Sequence, residues 1–293
     1  MSSSSRAATC YFGYIRPIAL ALTRPALTAA ALRVAAEAIR SFFYPQFENA
    51  LLHRRLLVNV DHPIDPSIPF EPGHIRKYLE FVKLWMGTFH KTWLLYGYAA
   101  QGEMIDFLAS IRRLYAEAGS VYWTIQTTTT RPAKNYNLRF ALIHAADPHQ
   151  NCVPSLHVLL VVANWLLATE LVRRLGADTA RGMGPAEVAL WLGSLRSEAV
   201  AITGSVLFVK QHSVNCIGAS LYFLKSRYPT FDAAKADAFV RDLFASEADT
   251  LSNADELRGI MLAACASLER AYSLQPDEGW RKPILDFIMS FKT

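Results

Sequence analysis

Two histidines, His157 and His212, stand 55 residues apart in this 293-residue chain, and each closes a segment that also carries a serine. The first segment reads Cys152-Val153-Pro154-Ser155-Leu156-His157, and the second reads Ser205-Val206-Leu207-Phe208-Val209-Lys210-Gln211-His212. Arg131-Pro132 precedes both. A neutral imidazole can attack phosphorus, and a second, protonated imidazole can hand its proton to the departing oxygen. Fixed positive charge then spreads the charge that gathers on the phosphoryl oxygens. Two imidazoles, two hydroxyls and two cations therefore make a set suited to handling a phosphoryl group.

These residues need particular positions to act together. Pro154 suits the first turn of a helix that continues through Val158, Val161, Val162, Trp165 and Leu166. Ser155 and the backbone N–H groups of Leu156 and His157 would then lie at a helix amino terminus, where unpaired donors and the helix dipole favour an anion. Arg131 offers a bidentate fork, and Lys210, two residues before His212, offers a point charge.

The ordered trio of Arg-Pro, Pro-Ser-x-His and Ser-x6-His resembles the type-2 phosphatidic acid phosphatase superfamily, which also contains the vanadium haloperoxidases and the bacterial class A acid phosphatases. The resemblance spans roughly residues 76 to 228, and it includes the Lys210-Gln211-His212 wording that many members share. It implies an all-α helix bundle with His212 as nucleophile and His157 as acid. Arg131, Ser155, Leu156, Lys210 and Ser205 would hold the substrate phosphate. The implied reaction is metal-independent hydrolysis or transfer of a phosphate monoester, in particular a lipid phosphate, through a phosphohistidine. No cofactor and no nucleic-acid partner are implied. The expected partners are a phosphorylated small molecule or lipid and an anionic membrane surface.

Three positions depart from the family pattern. Thr124 stands where a lysine is usual, and Val206 stands where an arginine often follows the serine. Cys216 occupies the position of the aspartate that normally orients the nucleophilic histidine. Without an acceptor for its Nδ1 proton, an imidazole loses its tautomer and its aim. Asn215, three residues after His212, is the candidate substitute through its amide oxygen. The competing reading is a catalytically impaired helical protein that binds phosphate or lipid head groups at a membrane surface.

Other chemistries use the same loop. His144, His149, Cys152 and His157 could offer three nitrogens and a sulfur to zinc, but intervals of five, three and five residues match no compact zinc motif. Cys10, Cys152, Cys216 and Cys265 are scattered, so neither a disulfide framework nor a nucleophile turn is written here.

Around this set the chain is built from apolar helices. Hydrophobic residues make up 52% of it, enough for a sizeable core. The pattern predicts one or two helices over 18–43 with a stop at Pro45, and further helices over 75–99, 103–122, 186–210 and 212–225. Residues 127–151 read as a long loop, no segment alternates as a strand should, and Asn253 with Glu256 is spaced as a capping box. The aromatic set Trp85, Phe89, Trp93, Tyr96 and Tyr98 reads as core packing. The proline-rich stretch 61–69 marks the boundary of an amino-terminal extension (1–75), followed by the phosphatase-like core (76–228) and a carboxy-terminal extension (229–293).

Charge divides along those lines. Residues 1–60 carry seven arginines against two glutamates, 7 − 2 = +5, while residues 229–293 carry seven basic and eleven acidic groups, 7 − 11 = −4. A basic, apolar amino end suits an anionic membrane surface. Spanning a bilayer needs about 20 mostly apolar residues, and each apolar helix here is interrupted by charged or polar side chains. The chain therefore reads as a buried-core helical protein, peripheral or soluble more readily than polytopic, while the resemblance implies membrane association, peripheral or integral, with the cytoplasmic face a candidate side.

Overall fold

The computed structural model describes residues 15–132, 137–245 and 251–292. Arg6 and Cys10 lie outside the described residues. The fold is mostly helical, as the apolar periodicity requires.

Its centre is helix α8, Leu156–Leu175, numbering the helices from Ile15–Leu22 as α1. Val158, Leu159, Leu160, Val161 and Val162 are all buried, so this helix is apolar around its whole circumference and belongs inside the fold. Its one buried amide, Asn164, donates from Nδ2 to Thr88 Oγ1 at 3.0 Å. Among the described helices α8 is the one long and apolar enough to cross a membrane, yet 67% of its apolar window is buried inside the protein. Helices α5 (Phe81–Tyr96), α6 (Gln101–Tyr122), α9 (Pro185–Phe208) and α10 (Val214–Arg227) pack around it. On the far side of α10 lies α12, Ala254–Leu274, and the crossing is tight: a Cβ at Gly218 would meet Ala264 Cβ at 2.6 Å.

The amino-terminal helices are longer than the prolines predicted. Helix α2, Pro25–Ala38, runs into a π-turn at Ile39–Phe43 and then into α3, Tyr44–Leu52. Pro45 does not end the run, because it sits in the first turn of α3, where its missing N–H costs nothing. The run lies across α6, so closely that a Cβ on Gly119 would fall 2.5 Å from Ser41 Cβ.

Two short strands were not visible in the sequence. β1 (Leu57–Asn59) and β2 (Gln126–Thr128) pair in parallel, with Val58 opposite Thr127, and Asn151 bridges to Thr127. Three residues are too few to show alternation. The predicted loop 127–151 also contains a helix, α7 (Leu138–Ala146), capped by Asn137 Oδ1, which accepts from Arg139 N at 2.9 Å and Phe140 N at 3.2 Å. Asn253 begins α12 without capping it, since its Nδ2 donates to Ser67 Oγ at 2.6 Å instead. Of the aromatic set, Phe89 and Tyr96 are buried, whereas Tyr98 is exposed and carries the Arg24 guanidinium 4.4 Å above its ring.

The stretch 61–69 is laced to the core. Val60 N donates to Thr128 O, Asp61 accepts from Thr130 N, and Asp65 Oδ1 accepts from Val214 N at the start of α10.

Candidate functional site

The small parallel patch gathers the site. It ties β1, the Arg131 segment and the segment before α8 into one unit, with Thr127 N donating to Gln150 O and Cys152 N to Thr127 O. From there α8 starts. Ser155 is its N-cap, its Oγ accepting from Val158 N, while Ser155 N donates to Ser220 Oγ at 2.8 Å on α10. This fixes His157 on the second residue of α8. His212 comes from the turn between α9 and α10, which begins at Lys210 with left-handed backbone at φ 55° and ends at the N-cap Ser213.

The two turns meet. The His157 and His212 ring centroids are 6.0 Å apart, and His149 adds a third ring 6.3 Å from His212. His157 is walled by aromatic groups, with Tyr78 stacked at 4.3 Å and Phe81 edge-on at 4.4 Å. His149 shares a 2.8 Å hydrogen bond from Nε2 with Thr129 Oγ1 and lies 3.6 Å from Cys152 Sγ. Phe42, Asp147, Asn151, Leu156 and the three histidines line a cavity of about 10 Å³, room for about one water.

The Arg131 charge is felt by all three rings, but its guanidinium is engaged. One terminal nitrogen donates to the Asp147 carbonyl at 3.0 Å, and the other to Asp147 Oδ2 at 3.1 Å. The other carboxylate oxygen of Asp147 accepts from His149 N at 2.8 Å.

Several donors and acceptors remain unspent. His157 Nε2, His212 Nδ1 and Arg131 Nε are buried with no hydrogen-bond partner. Buried polar groups are nearly always paired, so three orphans among the residues expected to hold an anion call for an explanation. Burial sets the protonation of the two histidines. It pushes His157 down to about 3, with the Arg131 charge adding to the effect. Burial, then the His157 and Arg131 charges, hold His212 well below the usual imidazole range, and a backbone hydrogen bond with Cys152 opposes them. His149 is lowered in the same way, while burial raises the Cys152 and Cys216 thiols. Near pH 7 the cluster is therefore three neutral imidazoles and two protonated thiols.

Of the residues singled out in the sequence, His157, His212 and Leu156 line one cavity; Arg131 reaches it through Asp147, and Ser155 is buried with its hydroxyl spent as the cap of α8. Lys210 turns away, its Nζ donating to Asp65 O at 2.7 Å and Ile68 O at 2.5 Å. Ser205 Oγ donates to Ile202 O at 2.7 Å and faces a separate cavity with His74, Lys77 and Arg196. Asn215 Nδ2 donates to Val60 O at 3.0 Å, and among the described residues no hydrogen bond joins Asn215 to His212. His149, Asp147, Tyr78 and Phe81 belong to the cluster although the motif reading did not use them in this role. Asp147 and His149 carried one signal, a polar pair just ahead of Cys152. Among the described residues no three His, Cys, Asp or Glu side chains are arranged to hold a metal ion.

No family model, curated protein or solved structure matches this chain.

Proposed function

We propose that this protein is a metal-independent phosphatase or phosphotransferase acting on a phosphate monoester, in particular a lipid phosphate, and that it works in association with an anionic membrane surface. The observation that carries the reading is the 6.0 Å approach of His157 and His212, each with a buried ring nitrogen left without a partner. Arg131 supplies the cation and the amino terminus of α8 supplies backbone donors.

In the proposed reaction a lone pair of His212 attacks phosphorus and the phosphorus–oxygen ester bond breaks. The leaving oxygen takes a proton from His157. Water, or another alcohol, then gives its proton to His157 and attacks the phosphohistidine, which releases phosphate and restores both rings. A free His157 near 3 is a poor acid source at neutral pH. A phosphate dianion entering the same cavity favours the imidazolium, so substrate brings the acid into its working state. The cavity also has to open, and Asp147 has to release Arg131, before a phosphate fits.

The test is turnover of p-nitrophenyl phosphate and of lipid phosphates, with and without chelator, by wild type, His157→Ala and His212→Ala. Each variant should lose turnover by about 10²–10⁴-fold, and an acid-labile phosphoryl adduct should form on wild type and not on His212→Ala. Wild-type rates in either variant, or zinc-restored loss with chelator, overturn the reading.

One feature favours a second reading. Cys216 stands where the resemblance leads one to expect a carboxylate, and the ring proton of His212 goes to the Cys152 backbone instead of to an orienting group at Nδ1. A catalytically impaired protein that binds phosphate or lipid head groups would show vanadate binding without turnover.

A further inference from the structure

The run from Pro25 to Leu52 is amphipathic in an unusual sense. Its inner face, Leu27, Ala30, Val34 and Ser41, is buried against the fold. Its outer face should be polar in a helix that ends at water. Instead Leu32, Ile39, Phe43, Phe47 and Leu51 recur at helical spacing on the exposed side, with Leu32 64% and Ile39 60% exposed. A contiguous exposed apolar stripe on a helical run about 42 Å long, at 1.5 Å per residue, marks an interaction surface.

The charges beside the stripe say what it meets. Arg33, Arg40 and Arg54 are exposed, while Glu37 and Glu48 are turned inward at 13% and 10% side-chain exposure, Glu37 ion-paired to Arg40 and Glu48 to Arg54 and Arg55, so residues 25–55 keep a net charge of 4 − 2 = +2. Each end carries an aromatic–arginine pair: Arg24 over Trp93 at 5.0 Å and Arg55 over Trp123 at 4.4 Å, with Tyr44 stacked on Trp123. Apolar side chains flanked by arginines, with Trp and Tyr at the ends, fit the interface of a bilayer that bears negative head groups.

We infer that this face docks flat on an anionic lipid surface, with the apolar stripe buried among the head groups and the arginines paired to lipid charge. A second copy is the poorer occupant, because a self-complementary contact sets Arg33 and Arg40 against their own kind. Spanning is poorer still, because the same two arginines sit in the middle of the stripe. The inference rests on the membrane part of the proposed function and not on its chemistry.

The docking face is also the back wall of the site. The Phe42 carbonyl accepts from Asn151 Nδ2 at 2.8 Å, and Phe42 lines the histidine cavity, while the next residue, Phe43, is on the stripe. A π-turn widens the helix at this point and presents that carbonyl to a partner outside the helix. Asn49 Nδ2 donates to Gln150 Oε1 at 3.0 Å two turns further along. One step along the chain, from Phe42 to Phe43, therefore leads from the cavity wall to the lipid-facing stripe.

The test is co-sedimentation of the full chain with phosphatidylcholine vesicles with and without phosphatidylserine. Wild type should bind the anionic vesicles and release them as salt rises. Leu32→Glu/Ile39→Glu should weaken binding by about tenfold or more and Arg33→Gln by about fivefold, with unchanged circular dichroism and melting, since all three side chains are exposed. His212→Ala should bind as wild type does, so that failure of the chemistry leaves this result standing. Equal binding to neutral vesicles, no binding, or variants that bind normally would overturn the inference. So would a protein that resists carbonate extraction, which would show a span, or a dimer that the Leu32→Glu/Ile39→Glu change dissolves, which would show a second copy.

Discussion

Arg131 and Asp147 hold each other twice, through the aspartate's backbone carbonyl at 3.0 Å and its carboxylate at 3.1 Å, directly beside three neutral histidines. The carboxylate occupies the cation that a phosphate would use, and the two anions compete.

Asp147→Asn should therefore raise affinity for vanadate, which mimics the transferring phosphoryl group. The amide keeps an oxygen for the His149 N–H but removes the competing charge. The expected gain is about tenfold, the order of one charge-assisted hydrogen bond, read as a lower inhibition constant. An unchanged constant would show that Arg131 is not the anion's partner.

Stability should depend on pH in a definite direction. His157 titrates near 3 when folded, against 6.5 for a free histidine, so between those values the unfolded chain binds more protons than the folded one. The stability it confers is complete above about pH 7 and is lost as pH falls toward 3, and the buried His149 and His212 add to the same slope. Urea midpoints should fall through this window, and His157→Gln should flatten the slope by up to about one proton. Phosphate binding at neutral pH should take up a proton, seen as a buffer-dependent heat in calorimetry, and His157→Gln should lose that uptake.

Cys216→Asp bears on the orientation of His212. A carboxylate there would draw the ring proton to Nδ1, away from the Cys152 backbone that now accepts it, free the opposite nitrogen to attack and raise kcat, with orienting effects of this type reaching about 10²–10⁴-fold. The site is fully buried, so the same change should lower the melting temperature in the absence of phosphate. If Asn215 serves His212 in the working state, Asn215→Ala should slow wild type and matter little beside Cys216→Asp. Unchanged rates in both single variants would favour the impaired binding protein.

Lys210→Met should act on folding more than on anion affinity. Its ammonium donates to two backbone carbonyls of the 61–69 stretch, and losing both leaves buried acceptors at a cost of about 1–3 kcal/mol. A drop in melting temperature with an unchanged vanadate constant is expected, and the opposite pattern would return Lys210 to the anion.

The helices and the two motif histidines were legible because both depend on local spacing: a 3.6-residue apolar period, a cap before His157 and a fixed interval before His212. What the sequence hid depends on backbone direction and distant partners. The direction of Lys210 follows from its left-handed φ of 55°, which no spacing rule reveals. The Tyr78 and Phe81 walls come from a segment more than 70 residues before His157, and His149 enters through a second left-handed residue, at φ 62°. The three-residue strands were invisible for the same reason, since their identity lies in the pairing of Val58 with Thr127 and not in either segment.

That pairing also decides what an excised core would be. A fragment beginning at residue 76 would keep every motif residue yet lose β1, leaving β2 as a bare parallel edge and its Thr128 carbonyl without the Val60 amide. The amide of Val214 and the carboxamide of Asn215 would lose Asp65 and Val60 at the same stroke. An open strand edge beside a buried apolar helix is a template for intermolecular pairing, so such a fragment should come out of expression as aggregate, and shortening the chain is a poor route to a crystallisable unit that carries the histidine cluster.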